Sequence, residues 1–222
     1  MIRVVIFDMF ETLVSHYYSP LYFGSQMAAD ANILEDRFQS TWKLTECDRT
    51  IGKMTLEQAL EIIFKENDCY SEELLRKIIK KRKESKEACF RHINSEIIPM
   101  LTAIKKKGIH IGLISNCFSE EVEVIRKSEL FPYFDGVYLS YEQGIEKPNE
   151  EIFTRCMRYF SSSPEECLYV GDGGSYELET ARKLGMKVIQ AAWYLQEEST
   201  QPSKRNDAFI QVENPMGVLQ YT

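Results

Sequence analysis

VVIFDMFETL, residues 4–13, is the stretch on which the fold turns. Val4 to Phe7 is a short, unbroken apolar run rich in β-branched residues, the pattern of a strand buried on both faces of a sheet. Asp8 ends it. Working outward, almost no strand signal follows from Pro20 to Phe90, and helices are expected over 20–31, 34–47, 55–67 and 71–91. Thr55 and Gln58 stand at N-cap and N3 spacing for the third of these. A further helix from Ile97 ends at Gly108 behind three lysines, which suits a C-cap at the negative end of the helix dipole.

From there helix and strand alternate. Strands are expected at Ile109–Ile114, Gly136–Leu139, Cys167–Val170 and Lys187–Ala191. Helices are expected at Ser119–Ser128, Asn149–Phe160 and Glu177–Leu184, with Gly185 as a C-cap. Near-continuous apolar strands separated by helices indicate a parallel sheet covered on both faces. The expected class is therefore α/β, a doubly wound parallel sheet with a Rossmann-like core and a small all-helical cap domain. The boundaries are 1–14 with 92–222 for the core, and 15–91 for the helical part. A polar loop over 197–206 and a last short strand near 208–212 complete the chain.

The 222 residues suffice for one sizeable core with a small satellite. Hydrophobic residues make up 44% and charged residues 27%, with a net charge of −7. An acidic chain argues against nucleic-acid and anionic-membrane partners, both of which need a basic face. The cluster RKIIKKRKESK, residues 76–86, is read as the solvated face of an amphipathic helix. No apolar stretch reaches the length that spans a bilayer. MIRVVIFD runs straight into a strand, and six scattered cysteines without a C-x-x-C pair suit reduced thiols, so a cytoplasmic location is expected. A monomer or a homodimer fits equally well.

In an open parallel sheet, ligands bind beyond the carboxyl ends of the strands. The residues there are Asp8 to Leu13, Ser115-Asn116, Lys147-Pro148, and Gly171 to Glu177. Each has a plainer reading: an Asp after a strand is commonly a turn or cap residue, Ser-Asn a loop, Lys-Pro a surface turn, Gly-Asp-Gly-Gly a tight turn. Their joint occurrence, each after a strand, carries the functional reading.

In that order, FDMFETL, LISN, GIEKPNEEIF and VGDGGSYELETA resemble the four motifs of the haloacid dehalogenase-like hydrolases, over essentially the whole chain. The resemblance implies Asp8 as nucleophile, with Ser115 and Lys147 completing the catalytic set. Ser115, Asn116 and Lys147 would bind substrate. A magnesium ion would be held by Asp8, the main-chain carbonyl of Phe10, Asp172 and Glu177. Magnesium favours such hard oxygen ligands. Lys147 and the Ser115 hydroxyl suit the charge that spreads over phosphoryl oxygens during transfer. The expected substrate is a small phosphorylated molecule, and the helical segment looks like the family's cap.

Position 10 departs from the pattern. The family's phosphatases carry there an Asp that serves as acid and then base, worth about 10²–10⁴-fold in rate; here it is Phe10. Three readings follow. The first is phosphoester hydrolysis or phosphoryl transfer with another acid, Glu11 or Glu177, or with good leaving groups. The second is carbon–halogen hydrolysis in the manner of 2-haloacid dehalogenases. The third is a weakly catalytic binding or regulatory protein. Glu11 is expected in an extended segment that points it away. His16, Tyr17, Tyr18, Trp42, Arg49 and Lys53 are candidate contributors to substrate choice, and Trp193-Tyr194 is expected to pack at the sheet end.

Overall fold

A computed structural model describes residues 1–195, 201 and 203–222. The first strand, β1 (Val4–Phe7), is the centre of a six-stranded parallel sheet, and its four side chains are entirely buried. At roughly 1.5–3 kcal/mol for each large apolar side chain taken out of water, this short segment anchors the core. The expected alternation is realised in a crossed order, with β1 flanked by β2 (His110–Ser115) and β4 (Cys167–Gly171). β3 (Gly136–Leu139) lies outside β2, while β5 (Lys187–Ala191) and the edge strand β6 (Ile210–Val212) follow β4. The strand order reverses at β1, so its end is the switch point where a crevice opens. Register brings Phe7 level with Leu113 and Val170, and hence sets Asp8 between the ends of β2 and β4.

Between β1 and β2 the chain is helical: α1 (Gly24–Asp30), α2 (Glu35–Leu44), α3 (Glu46–Thr50), α4 (Leu56–Glu66), α5 (Glu72–Cys89) and α6 (Ile97–Lys106). α1 begins later than expected, Pro20 to Tyr22 being non-helical. The expected helix over 34–47 is divided at Thr45, whose hydroxyl turns back onto the carbonyls of Thr41 and Trp42 at 3.0 and 3.1 Å. Side-chain competition for main-chain acceptors of this kind is known to bend or end helices. The cap on α4 is as expected, Thr55 and Gln58 each accepting the other's main-chain N–H. Gly108 and Gly185 end their helices in the left-handed region.

Residues 22–78 of this segment form an apolar cluster of their own, built on Met27, Phe38, Leu60, Phe64 and Ile78, apart from the two clusters that sandwich the sheet. The rest of the chain supplies α7 (Ser119–Lys127), the one-turn α8 (Ser140–Gln143), α9 (Glu150–Tyr159) and α10 (Glu177–Lys183). Of the expected loop over 197–206, residues 201 and 203–206 carry no regular secondary structure, while 197–200 and 202 lie outside the described residues. Among the described residues, no helix is long and apolar enough to cross a membrane.

The basic run of α5 is solvated as expected at Arg76, Lys77, Lys80 and Lys81, and departs from that reading at Arg82 and Lys86. Arg82 and Lys86 are 3% exposed. They continue the buried stripe of Leu75 and Ile78 at helical spacing. Both meet carboxylates of α7: Arg82 Nε lies 3.0 Å from Glu120 and Lys86 Nζ 2.6 Å from Glu121.

Candidate active site

Asp8 leaves β1 with its N–H donated to the Val170 carbonyl at 2.9 Å, which fixes its main chain against β4. The chain then turns at once, Leu13 and Val14 both donating to the Met9 carbonyl. Glu11 lies in the left-handed region at φ 57°. It is therefore not extended, and its buried carboxylate is held by the Ser15 hydroxyl at 2.5 Å and the His16 N–H at 2.9 Å.

Lys147 reaches Asp8 across the strand ends, Nζ to Oδ1 at 2.6 Å, and both residues are buried. The Met9 N–H meets the same oxygen at 2.8 Å. Oδ2 carries no hydrogen bond among the described residues. Asn116 orients the lysine: its Oδ1 accepts the Lys147 N–H at 2.8 Å and its Nδ2 donates to the Lys147 carbonyl at 3.0 Å. The same amide also lines the cavity described below, with one N–H left beyond these two hydrogen bonds. Ser115 is fully buried at the end of β2, and its hydroxyl reaches the Asn116 carbonyl at 3.3 Å.

Asp8, Asp172 and Glu177 bring carboxylate oxygens within 4.8 Å of one another. Glu177 also organises its loop, Oε1 accepting from Gly173 N–H and Oε2 from Ser175 N–H, both at 2.7 Å. A Cβ on Gly171 would stand 2.9 Å from that Oε1, so a side chain there would displace the carboxylate. Three buried carboxylates face one ammonium, Lys147, among these residues. Burial pushes Asp8 up to about 6, against the pull of Lys147 and with the push of Glu177. Burial, then Glu177 and Asp8, push Asp172 well above the usual carboxylate range. Hard oxygen donors with a surplus of negative charge fit a divalent cation such as magnesium.

Asp8, Asn116, Lys147 and Asp172 line a cavity of about 330 Å³ whose other wall comes from the helical segment and α7; Ser115 and Glu177 are not part of its lining. Phe10, His16, Tyr17, Phe23, Trp42 and Phe118 add rings to a lining otherwise rich in charged side chains. Phe10 is stacked on His16, with ring centroids 4.4 Å apart. His16 is in turn held between Glu11, 3.2 Å from Nδ1, and Lys86, 2.7 Å from Nε2. Burial raises the Glu121 carboxyl, but Lys86, His16 and Arg82 outweigh it and hold the group well below the usual carboxylate range.

Of the residues expected to influence substrate choice, His16, Tyr17 and Trp42 reach the cavity. Arg49 lies behind it, its guanidinium 3.5 Å from the Trp42 ring centroid and 4.6 Å from that of Phe118, with Nη1 unpartnered among the described residues. Tyr18 packs on Tyr194, and Lys53 lies by a separate depression with Gln58 and Lys65. As expected, Trp193 and Tyr194 are structural: the indole N–H donates to the Thr12 carbonyl at 2.8 Å, and the Tyr194 hydroxyl accepts the Asn94 N–H at 3.0 Å. Reading the sequence missed Phe23, Arg82, Lys86 and Glu121. For the two cations the signal was present, because they occupy the core-facing positions of α5.

A family model described as haloacid dehalogenase-like hydrolase matches residues 2–185. The chain belongs to that family of hydrolases. It is 29% identical over 96 residues to the glyceraldehyde 3-phosphate phosphatase of Methanopyrus kandleri, a match covering 43% of this chain and 41% of that protein. The chain thus spans well under two thirds of that relative. Among solved structures, a HAD family enzyme of Bacteroides thetaiotaomicron in complex with magnesium and inorganic phosphate superposes with a TM-score of 0.66 at 16% identity. That match covers 89% of this chain and 98% of the other. A 2-haloacid dehalogenase from Pseudomonas syringae pv. Tomato is similar with a TM-score of 0.66 at 18% identity, over the full length of both chains. At these identities the structural likeness speaks for the fold.

Proposed function

We propose that this hydrolase is a magnesium-dependent phosphohydrolase acting on small phosphate esters through a covalent intermediate on Asp8. The observation that carries this reading is the pairing of buried Asp8 with Lys147, in the wall of the cavity and beside two further carboxylates. Asp8 Oδ2 attacks phosphorus, and the bond to the leaving oxygen breaks with its electron pair. Lys147 balances the charge of the incoming phosphoryl group and keeps Asp8 oriented through Oδ1. Water then attacks phosphorus, releasing phosphate and regenerating the Asp8 carboxylate, while its proton passes to solvent or to the phosphate itself. Asp8, Asp172 and Glu177 would hold magnesium, which supplies positive charge against the phosphoryl oxygens.

Residues 15–91 act in this reading as a cap, presenting Phe23, Trp42, Arg82 and Lys86 to the leaving group. Phe10 provides an aromatic surface and no proton, so esters whose leaving group is stable as an anion are favoured. The relatives named as glyceraldehyde 3-phosphate phosphatases support a small phosphorylated substrate.

The test is hydrolysis of an activated aryl phosphate with and without magnesium. Turnover that requires the metal and disappears in Asp8→Asn is expected. Turnover that survives either change would refute the proposal. The aromatic residue at position 10 also favours a second reading, carbon–halogen hydrolysis, and chloride release from a 2-chloro acid without any metal would select it.

A further inference from the structure

The chain beyond β5 returns to the loop that carries Asp172. Gln190, fully buried on β5, donates through Nε2 to the carbonyls of Asp172 and Lys204, both at 2.8 Å, and accepts the Asn206 N–H on Oε1 at 2.9 Å. These three side-chain hydrogen bonds link that loop to residues 204–206. Immediately before them, the buried Ser203 hydroxyl donates to Asp172 Oδ2. Gln201, also buried, donates through Nε2 to Glu11 Oε2 at 3.2 Å and to the Tyr194 carbonyl at 3.0 Å. Two hydrogen bonds from one short stretch therefore reach the two loops that bear Asp8 and Asp172.

A second observation marks the Ser203 contact as one the site is shaped to admit. A Cβ built on Gly174 would stand 2.7 Å from Ser203 Oγ and 3.3 Å from Asp172 Oδ2. The hydroxyl reaches the carboxylate through space that any other residue at 174 would fill. Apart from Ser203, the Asp172 carboxylate accepts only the Gly174 N–H among the described residues, 3.3 Å from Oδ1, so Ser203 is the side chain among them that restrains Oδ2.

We propose that Ser203 is a positioning residue for the divalent cation, holding Asp172 by Oδ2 in one orientation while Gln190 fixes the main chain beneath it. It touches neither substrate nor reacting atoms and acts through Asp172. Partners that orient a ligating carboxylate typically matter by about 10–100-fold in metal affinity. The inference rests on the proposed metal site, and deepens it by assigning a role to a residue outside the four sequence motifs.

The experiment measures Mn²⁺ affinity of the full chain by electron paramagnetic resonance and by calorimetry, independently of turnover. The variants are Ser203→Ala, Ser203→Thr and Gly174→Ala, with folding followed by circular dichroism. The expected result is affinity weakened at least about tenfold in Ser203→Ala and in Gly174→Ala, with a native spectrum, and largely retained in Ser203→Thr. Wild-type affinity in Ser203→Ala overturns the proposal. So does equal weakening in Ser203→Ala and Ser203→Thr, because the hydroxyl would then not be the agent. Should Ser203→Ala fold poorly, Gly174→Ala decides alone. A wild-type chain that binds no Mn²⁺ refutes the metal site itself, and this inference with it.

Discussion

Replacing Lys86 by Met removes one half of a buried ion pair while keeping most of the side-chain volume. Lys86 Nζ and Glu121 Oε1 are 2.6 Å apart, and the two side chains are 3% and 4% exposed. Taking away one member of such a pair strands a charge out of water and costs about 3–5 kcal/mol. His16 Nε2 lies 3.6 Å from the same Glu121 oxygen and leaves it a nearby polar partner, which places the expected loss at the lower end, near about 3 kcal/mol. For a chain of this size, about 2–4 °C per kcal/mol converts that into a fall in Tm of about 6–12 °C. Thermal unfolding followed by circular dichroism measures it. The double variant Lys86→Met/Glu121→Leu should recover most of the loss, since replacing both partners by apolar groups is often nearly neutral. A fall below about 2 °C in Lys86→Met, or a double variant no better than the single one, would refute the reasoning.

Phe10→Asp should raise kcat/KM on alkyl phosphates at least about tenfold, and far less on aryl phosphates, flattening the dependence of rate on leaving-group pKa; an unchanged dependence would show that Phe10 does not limit proton supply. Asn116→Ala removes both hydrogen bonds to the Lys147 main chain, each worth about 0.5–1.5 kcal/mol. Steady-state kinetics should show kcat falling about tenfold or more in a chain that still folds, because small displacements of positioning groups carry large rate penalties. Acid pH tests the Glu121 contact. The group sits well below its ordinary value of 4.5 in the folded chain, so the stability it contributes is complete above that pH and is lost as pH falls through the folded-state value. Denaturant titrations between about pH 5 and 3 should show stability falling less steeply with acidification in Glu121→Gln than in the wild-type chain.

The strands could be read directly because each of the buried ones is a near-continuous apolar run, and burial on both faces demands that pattern. The four loops were legible for the same reason, since they begin where those runs stop. What stayed hidden depends on partners distant in sequence. Arg82 and Lys86 stand at core-facing positions of α5, but the carboxylates that meet them there, Glu120 and Glu121, come from α7. Asn116 carries no mark that its amide serves Lys147, 31 positions on. Ser203 and Gln190 belong to no local pattern at all: the pairing of β4 with β5 sets Gln190 beside Gly171, and only the return of the chain past β5 puts Ser203 against Asp172. Glu11 was misread because the turn after Asp8 places it in a left-handed conformation that residues of its type seldom adopt.

The stacking of Trp42 against Arg49 also gives the molecule a built-in optical probe. The chain has two tryptophans, and the other, Trp193, is tied to Thr12 on the far side of Asp8. The indole is pressed against the Arg49 guanidinium of its own helical segment, and that guanidinium lies in turn 4.6 Å from the centre of the Phe118 ring on the sheet side, so the surroundings of Trp42 reach across the two parts. With Trp193 replaced by Phe, the remaining emission would follow the approach and departure of the helical segment without any attached label.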